Sequence, residues 1–118
     1  EGIDSGPIMF EKRFPIPNDC WVEELYQITF NKSVDLFKES MKDLMTRNYI
    51  LKPQESLLDK RTTSLHFRKE IEKLKKIDLS WNKDKIERQI RATCMQGFES
   101  PYMMINNQKV HFEKERNI

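Results

Sequence analysis

Between Pro17 and Pro53 the sequence contains neither proline nor glycine. The residues most able to interrupt a helix are therefore missing from the longest stretch that repeats apolar positions. Phe30, Val34, Phe37, Met41 and Leu44 or Met45 recur at spacings of three and four, and Trp21, Leu25 and Ile28 extend the stripe toward its start. This spacing predicts a helix from about Cys20 to Asn48, with Asn18 and Asp19 as capping side chains and Glu23 and Glu24 placing negative charge in the first turn. The stripe is expected to pack on a sheet, while Lys32, Asp35, Lys38, Glu39 and Lys42 form a solvated face of mixed charge.

The residues before this helix, EGIDSGPIMFEKRFPIP, open on Gly2 and Gly6 flanking Asp4. Glycine admits the backbone angles of a tight turn, so the Asp4 carboxylate is expected to face outward from one. Ile8, Met9 and Phe10 read as a short buried strand fenced by Pro7, Pro15 and Pro17. A carboxylate at the mouth of a strand is a common position for a proton-transferring group, and a surface turn before an edge strand would have the same sequence.

Beyond the helix, Pro53 holds the preceding residues extended, and Glu55 to Ser64 has no periodicity, so a loop is expected. Seven of the residues from Lys60 to Lys76 are Lys or Arg against two acids, Glu70 and Glu72. That density suits a solubilising connector or a phosphate contact. In the second case Arg68 is the candidate, because a planar guanidinium matches phosphate oxygens. An ordinary surface pair of Arg68 with Glu72 competes with this. Ser80 or Asn82 caps a helix from about Lys83 to Cys94 that Gly97 ends, with Ile86 and Ile90 inward. Arg91 lies just off that inner face, open to roles as a solvated charge, a structural ion pair or a phosphate ligand. Tyr102 to Ile105 and Gln108 to Phe112 form a hairpin about Asn106-Asn107, with Met103, Ile105, Val110 and Phe112 on one face and Tyr102 and His111 on the other. Such a hairpin is marginal alone, so it should pack on the helix or on a second copy of the chain.

Of the 118 residues, 34% are charged and 37% hydrophobic, enough for one domain or part of one. The net charge of +2 gives no general footprint for nucleic acid or a membrane surface, and no apolar run approaches a membrane span. Cys20 and Cys94 lack the spacing of a disulfide framework or a zinc site and are expected as reduced thiols of a cytoplasmic protein. No His, Cys and acid cluster has metal spacing, so no metal is expected.

The bend Asp4-Ser5-Gly6-Pro7-Ile8 and the apolar run after it resemble a signature of the formyltetrahydrofolate-dependent formyltransferases. Phe67-Arg68-Lys69, Ile77-Asp78 and Ile90-Arg91-Ala92 follow in the order of that family's later segments, so the resemblance covers nearly the whole chain. It implies an α/β fold, the C-terminal portion of a Rossmann-like formyltransferase: strand, long helix, basic loop, helix and β-hairpin. Residues 1–54 would end the catalytic domain, and residues 55–118 would form a C-terminal extension.

The resemblance also implies a role for each matching residue. Asp4 would be the catalytic aspartate, with Glu1, Gly2, Ile3 and Asp4 lining the site for N10-formyltetrahydrofolate. Phe67, Arg68 and Arg91 would contact the acceptor. The family's other catalytic groups, an asparagine and a histidine in an Asn-x-His motif, lie upstream of the aspartate; neither His66 nor His111 is in such a motif. The chain is thus expected to be the C-terminal half of an enzyme, partnered by a missing N-terminal half, with the hairpin as a candidate surface for a homodimer. With 26 residues after Ala92, it is most similar to the sugar-nucleotide N-formyltransferases of lipopolysaccharide and O-antigen synthesis, whose acceptor is a nucleoside-diphosphate amino sugar. The alternatives are a methionyl-tRNA formyltransferase-like fragment and a non-catalytic binding or assembly module.

Overall fold

The computed structural model describes residues 4–59 and 64–115. The chain forms two compact units, the first from Glu1–Pro15 and Thr29–Leu65, the second from Ile16–Ile28 and His66–Ile118, so the division falls inside the long helix.

That helix, α1, spans Val22–Thr46 and so starts and stops slightly inside the expected range. Its entry is closed by Glu24, which folds back to accept the Trp21 backbone N–H at 3.1 Å, rather than by Asn18 or Asp19. The Glu24 carboxyl is held below its usual range by its bond from Lys114, then by the Trp21 amide. At the exit, Arg47 takes φ 55°, and the Asn48 N–H reaches back to the Asp43 carbonyl at 2.8 Å. This is the left-handed stop that a glycine usually supplies.

In the first unit, Ile8 and Lys52 exchange both backbone hydrogen bonds, at 2.8 and 2.9 Å, and form one isolated antiparallel bridge. The expected Ile8–Phe10 strand is corrected to this single bridge, with Ile8 half-buried and Met9 exposed. The physical reason is local: Pro7 and Pro53 adjoin the paired residues and have no N–H to continue a ladder. Phe10 meets Tyr49 edge-on, ring centres 5.9 Å apart. The expected loop after Pro53 begins as a 3-10 turn, Gln54–Leu57.

The α1 stripe does not pack on a sheet within the described residues. Phe30, Phe37 and Met45 are 55%, 59% and 76% exposed, and Met41 and Leu44 are exposed too. The buried position of α1 is Ser40, whose hydroxyl donates to the Leu36 carbonyl at 2.6 Å. Among the described residues the only sheet is the two-stranded hairpin of the second unit, so the first unit offers the stripe no sheet to cover.

In the second unit the basic stretch is not wholly loop. A short helix, α2 (Glu70–Lys75), forms there, started by Glu70, which accepts the Phe67 N–H at 3.2 Å. The helix α3 spans Lys83–Thr93, and the Gln89 side-chain amide donates to the Leu74 carbonyl at 2.7 Å, tying α3 to α2. The strands β1 (Tyr102–Ile105) and β2 (Gln108–His111) pair antiparallel, with Tyr102 opposite His111 and Met103 opposite Val110. Asn106 and Asn107 take φ 48° and 62°, the two left-handed positions of the expected tight turn. The hairpin is anchored where the Ile77 N–H donates to the Tyr102 carbonyl at 2.8 Å. Ile77 is buried there, and Pro101 is fully buried beside it in sequence to Tyr102.

Asn82 caps α3 as expected, its side chain accepting the Lys85 N–H at 2.9 Å. Asn82→Ala removes that acceptor and should lower stability by about 1 kcal/mol, measured as a lower denaturant midpoint with an unchanged slope.

Candidate functional site

Asp4 stands in the first unit with φ 54°, a left-handed angle that aspartate adopts more readily than most residues. Its backbone is pinned from the far end of the unit: the Gln54 side-chain amide donates to the carbonyls of Asp4 and Gly6, each at 2.7 Å. The residue itself is exposed. The turn at Asp4 is thus fixed by a contact to Gln54 that no local pattern reveals. Glu1, Gly2 and Ile3 lie outside the described residues.

Phe67, Arg68 and Arg91 belong to the second unit. Arg91 is largely buried and stands 3.8 Å from the Asp19 carboxylate, the structural ion pair among its three expected roles. Phe67 is exposed, with the Lys69 ammonium 5.8 Å from its ring centre. Arg68 borders a cavity of about 540 Å³ whose other walls include Ile71, Ala92, Met95 and Phe98. Arg91 is absent from its lining, although Ala92 and Thr93 are present.

The acids nearest in sequence to Arg68 are committed elsewhere. Glu72 pairs with Lys75 at 3.0 Å, not with Arg68. Glu70 meets His66 Nδ1 at 3.0 Å, and its carboxyl is held low by His66 and then by the Phe67 N–H. Among the described residues Arg68 forms no ion pair, since Glu70 and Glu72 pair with His66 and Lys75.

One wall of the cavity depends on a turn the sequence did not locate. Gly97 does not end α3, which stops at Thr93 with Cys94 extended. Instead Gly97 takes φ 82° within a turn closed by the Phe98 N–H on the Met95 carbonyl at 3.2 Å. The left-handed glycine reverses the chain so that Met95 and Phe98 both line the cavity. Lys75, a cavity residue with a side chain only 6% exposed, was equally unforeseen.

A second depression, of about 610 Å³, includes Glu23, Glu113 and Glu115 against Lys114, a charge balance unsuited to an anion. Among the described residues no group of three His, Cys, Asp or Glu could hold a metal ion, and no helix is long and apolar enough to cross a membrane. Cys20 and Cys94 are both free thiols.

No protein-family model and no curated protein matches the sequence. Solved structures do match the fold. A sugar N-formyltransferase from Shewanella sp FDAARGOS_354 superposes with a TM-score of 0.74 at 24% identity, covering 100% of this chain and 47% of that one. A 4-N formyltransferase from Francisella tularensis gives 0.80 at 18% identity, over 100% and 48%. A Mycobacterium tuberculosis protein described as a candidate sugar N-formyltransferase gives 0.75 at 19%, over 98% and 51%. The chain thus has the fold of about half of such an enzyme, and the resemblance expected from its motifs holds at the level of fold.

Open space surrounds the position a Cβ would take on Gly97, so its role is conformational. Gly97→Ala should cost about 1–2 kcal/mol through its left-handed angle alone. A thermal melt checks this, with Gly97→Asn expected to lose less.

Proposed function

We propose that the chain is part of an N-formyltransferase that moves a formyl group from N10-formyltetrahydrofolate to the amine of a nucleoside-diphosphate amino sugar. The observation that carries the proposal is the superposition of the whole chain on about half of the Shewanella sugar N-formyltransferase. The open stripe of α1 supports a further part of the proposal: the sheet it would cover belongs to an upstream half, which would also supply the asparagine and histidine. Residues 1–54 would then close the catalytic domain, and residues 55–118 would extend it. The setting would be cytoplasmic.

In this mechanism Asp4 has the role of proton acceptor. The amine nitrogen attacks the formyl carbon, and the carbonyl oxygen takes the negative charge of the tetrahedral intermediate. The nitrogen sheds one proton to Asp4, directly or through the upstream histidine. Collapse of the intermediate breaks the bond to N10, and the proton goes to that leaving nitrogen. Glu1, Gly2 and Ile3 would flank the folate. Arg68 would contact the diphosphate, with Phe67 and Arg91 near the acceptor. No metal is required.

Asp4→Asn is a clean test because asparagine tolerates the same left-handed angle. In the complete enzyme it should lower turnover by about a hundredfold or more while leaving the fold intact; unchanged turnover removes Asp4 from the mechanism. Arg68→Ala should weaken nucleoside-diphosphate amino sugar binding by roughly ten- to a hundredfold, from a charge-assisted contribution of about 1.5–3 kcal/mol, and spare folate binding. Calorimetry reads both affinities, and equal values for Arg68→Ala and the parent make Arg68 an ordinary surface charge.

A further inference from the structure

We infer that Gln54 is a positioning residue for formyl transfer: its side-chain amide grips the turn at Asp4 by two carbonyls and so fixes where the proton acceptor stands. The inference rests on the proposed role of Asp4 and gives a part in the reaction to a residue fifty positions away. Register is the first argument. Ile8 and Lys52 exchange both backbone bonds, at 2.8 and 2.9 Å. Continuing that antiparallel pairing by two residues sets Gly6 opposite Gln54 as the next pair to bond. The Gln54 backbone instead enters the 3-10 turn Gln54–Leu57, and its side chain takes over, donating to the Gly6 carbonyl at 2.7 Å and to the Asp4 carbonyl at 2.7 Å.

Donor count is the second argument. A primary amide carries two N–H donors, and two carbonyls receive them. These carbonyls stand on either side of Ser5, so one side chain fixes the peptide planes before and after it. Neither bond involves the Asp4 carboxylate, so Gln54 acts on its place and not on its charge. The third argument is that the anchor is itself held. Lys52 is tied to Ile8, and the Pro53 carbonyl accepts the Ser56 N–H at 3.1 Å and the Ser56 hydroxyl at 2.7 Å. Gln54 is half-buried between these ties and the exposed turn. Asp4 needs such support, because its φ of 54° is an angle that a residue with a side chain keeps only where its surroundings hold it. Without the amide the turn would relax toward commoner angles and carry the carboxylate with it. A displacement of about 1 Å at a reacting group can lower a rate on the order of a hundredfold.

The test is a double-mutant cycle in the complete enzyme, with turnover read beside acceptor affinity by calorimetry and a thermal melt. Gln54→Ala should lower turnover roughly ten- to a hundredfold, with acceptor affinity and the folded state retained. Gln54→Glu keeps the length of the side chain but has no donor when ionised, so it should lose as much; a side chain that only filled space would be replaced without loss. Combined with Asp4→Asn, Gln54→Ala should lower turnover little further, because its effect runs through a carboxylate already removed. Full turnover in Gln54→Glu, additive losses in the double variant, or loss of the folded state in both Gln54 variants overturns the inference. A large loss in Asp4→Asn with none in Gln54→Ala would count against Gln54 alone, whereas unchanged turnover in Asp4→Asn would remove the proposed role of Asp4 itself and this inference with it.

Discussion

The hydrogen bond from the Ile77 N–H to the Tyr102 carbonyl, 2.8 Å long, is the contact on which the second unit depends. Ile77 is the one buried aliphatic side chain among the described residues. Burying such a side chain contributes about 2–3 kcal/mol, and here it does so at the point where the exit of α2 meets the start of the hairpin. A two-stranded hairpin is marginal alone, so without this junction the pairing of Tyr102–Ile105 with Gln108–His111 would have little to hold it. The Phe112 N–H on the Pro101 carbonyl, also 2.8 Å, fixes the other strand to the buried proline.

The first unit is held differently. Apart from the Phe10–Tyr49 ring contact, its ties are polar: the paired backbone groups of Ile8 and Lys52, and the Gln54 amide that spans from the 3-10 turn to the carbonyls of Asp4 and Gly6. Such bonds set geometry with little burial, and they locate Asp4 well while leaving a row of large apolar side chains on α1 in water. Phe30, Phe37, Met41, Leu44 and Met45 form an exposed apolar stripe on α1, the surface that the proposed upstream half would cover. It accords with a chain that spans about half the length of the structures it matches.

Much of this was legible in the sequence, and the gaps have identifiable causes. The long helix announced itself because nothing in it breaks a helix, and the hairpin because two asparagines accept left-handed angles. The Asn82 cap was readable for a similar local reason. What failed was any inference that needed a distant partner. The stripe of α1 predicted a sheet without saying where that sheet was, and Gln54 gave no sign that it would reach Asp4 fifty residues away. Local patterns also misled where two side chains competed for one task. Glu24 rather than Asp19 closed the start of α1, which left Asp19 for Arg91, and Arg47 rather than a glycine ended it. Gly97 has the place of a helix stop, a common role of glycine, yet it serves the turn that brings Phe98 to the cavity. The sequence singles out Asp4 and Arg68 as candidates, but not the cavity walls around Arg68, since Val22, Ile71 and Phe98 come from separate segments.

The most direct test of formyl transfer to a nucleotide-linked amine is product analysis by mass spectrometry. The full-length protein would be incubated with N10-formyltetrahydrofolate and a panel of nucleoside-diphosphate amino sugars. The account predicts that one sugar gains a single formyl group on its amine as one equivalent of tetrahydrofolate appears. A folded protein that leaves every amine in the panel unmodified, with the folate still formylated, would contradict it.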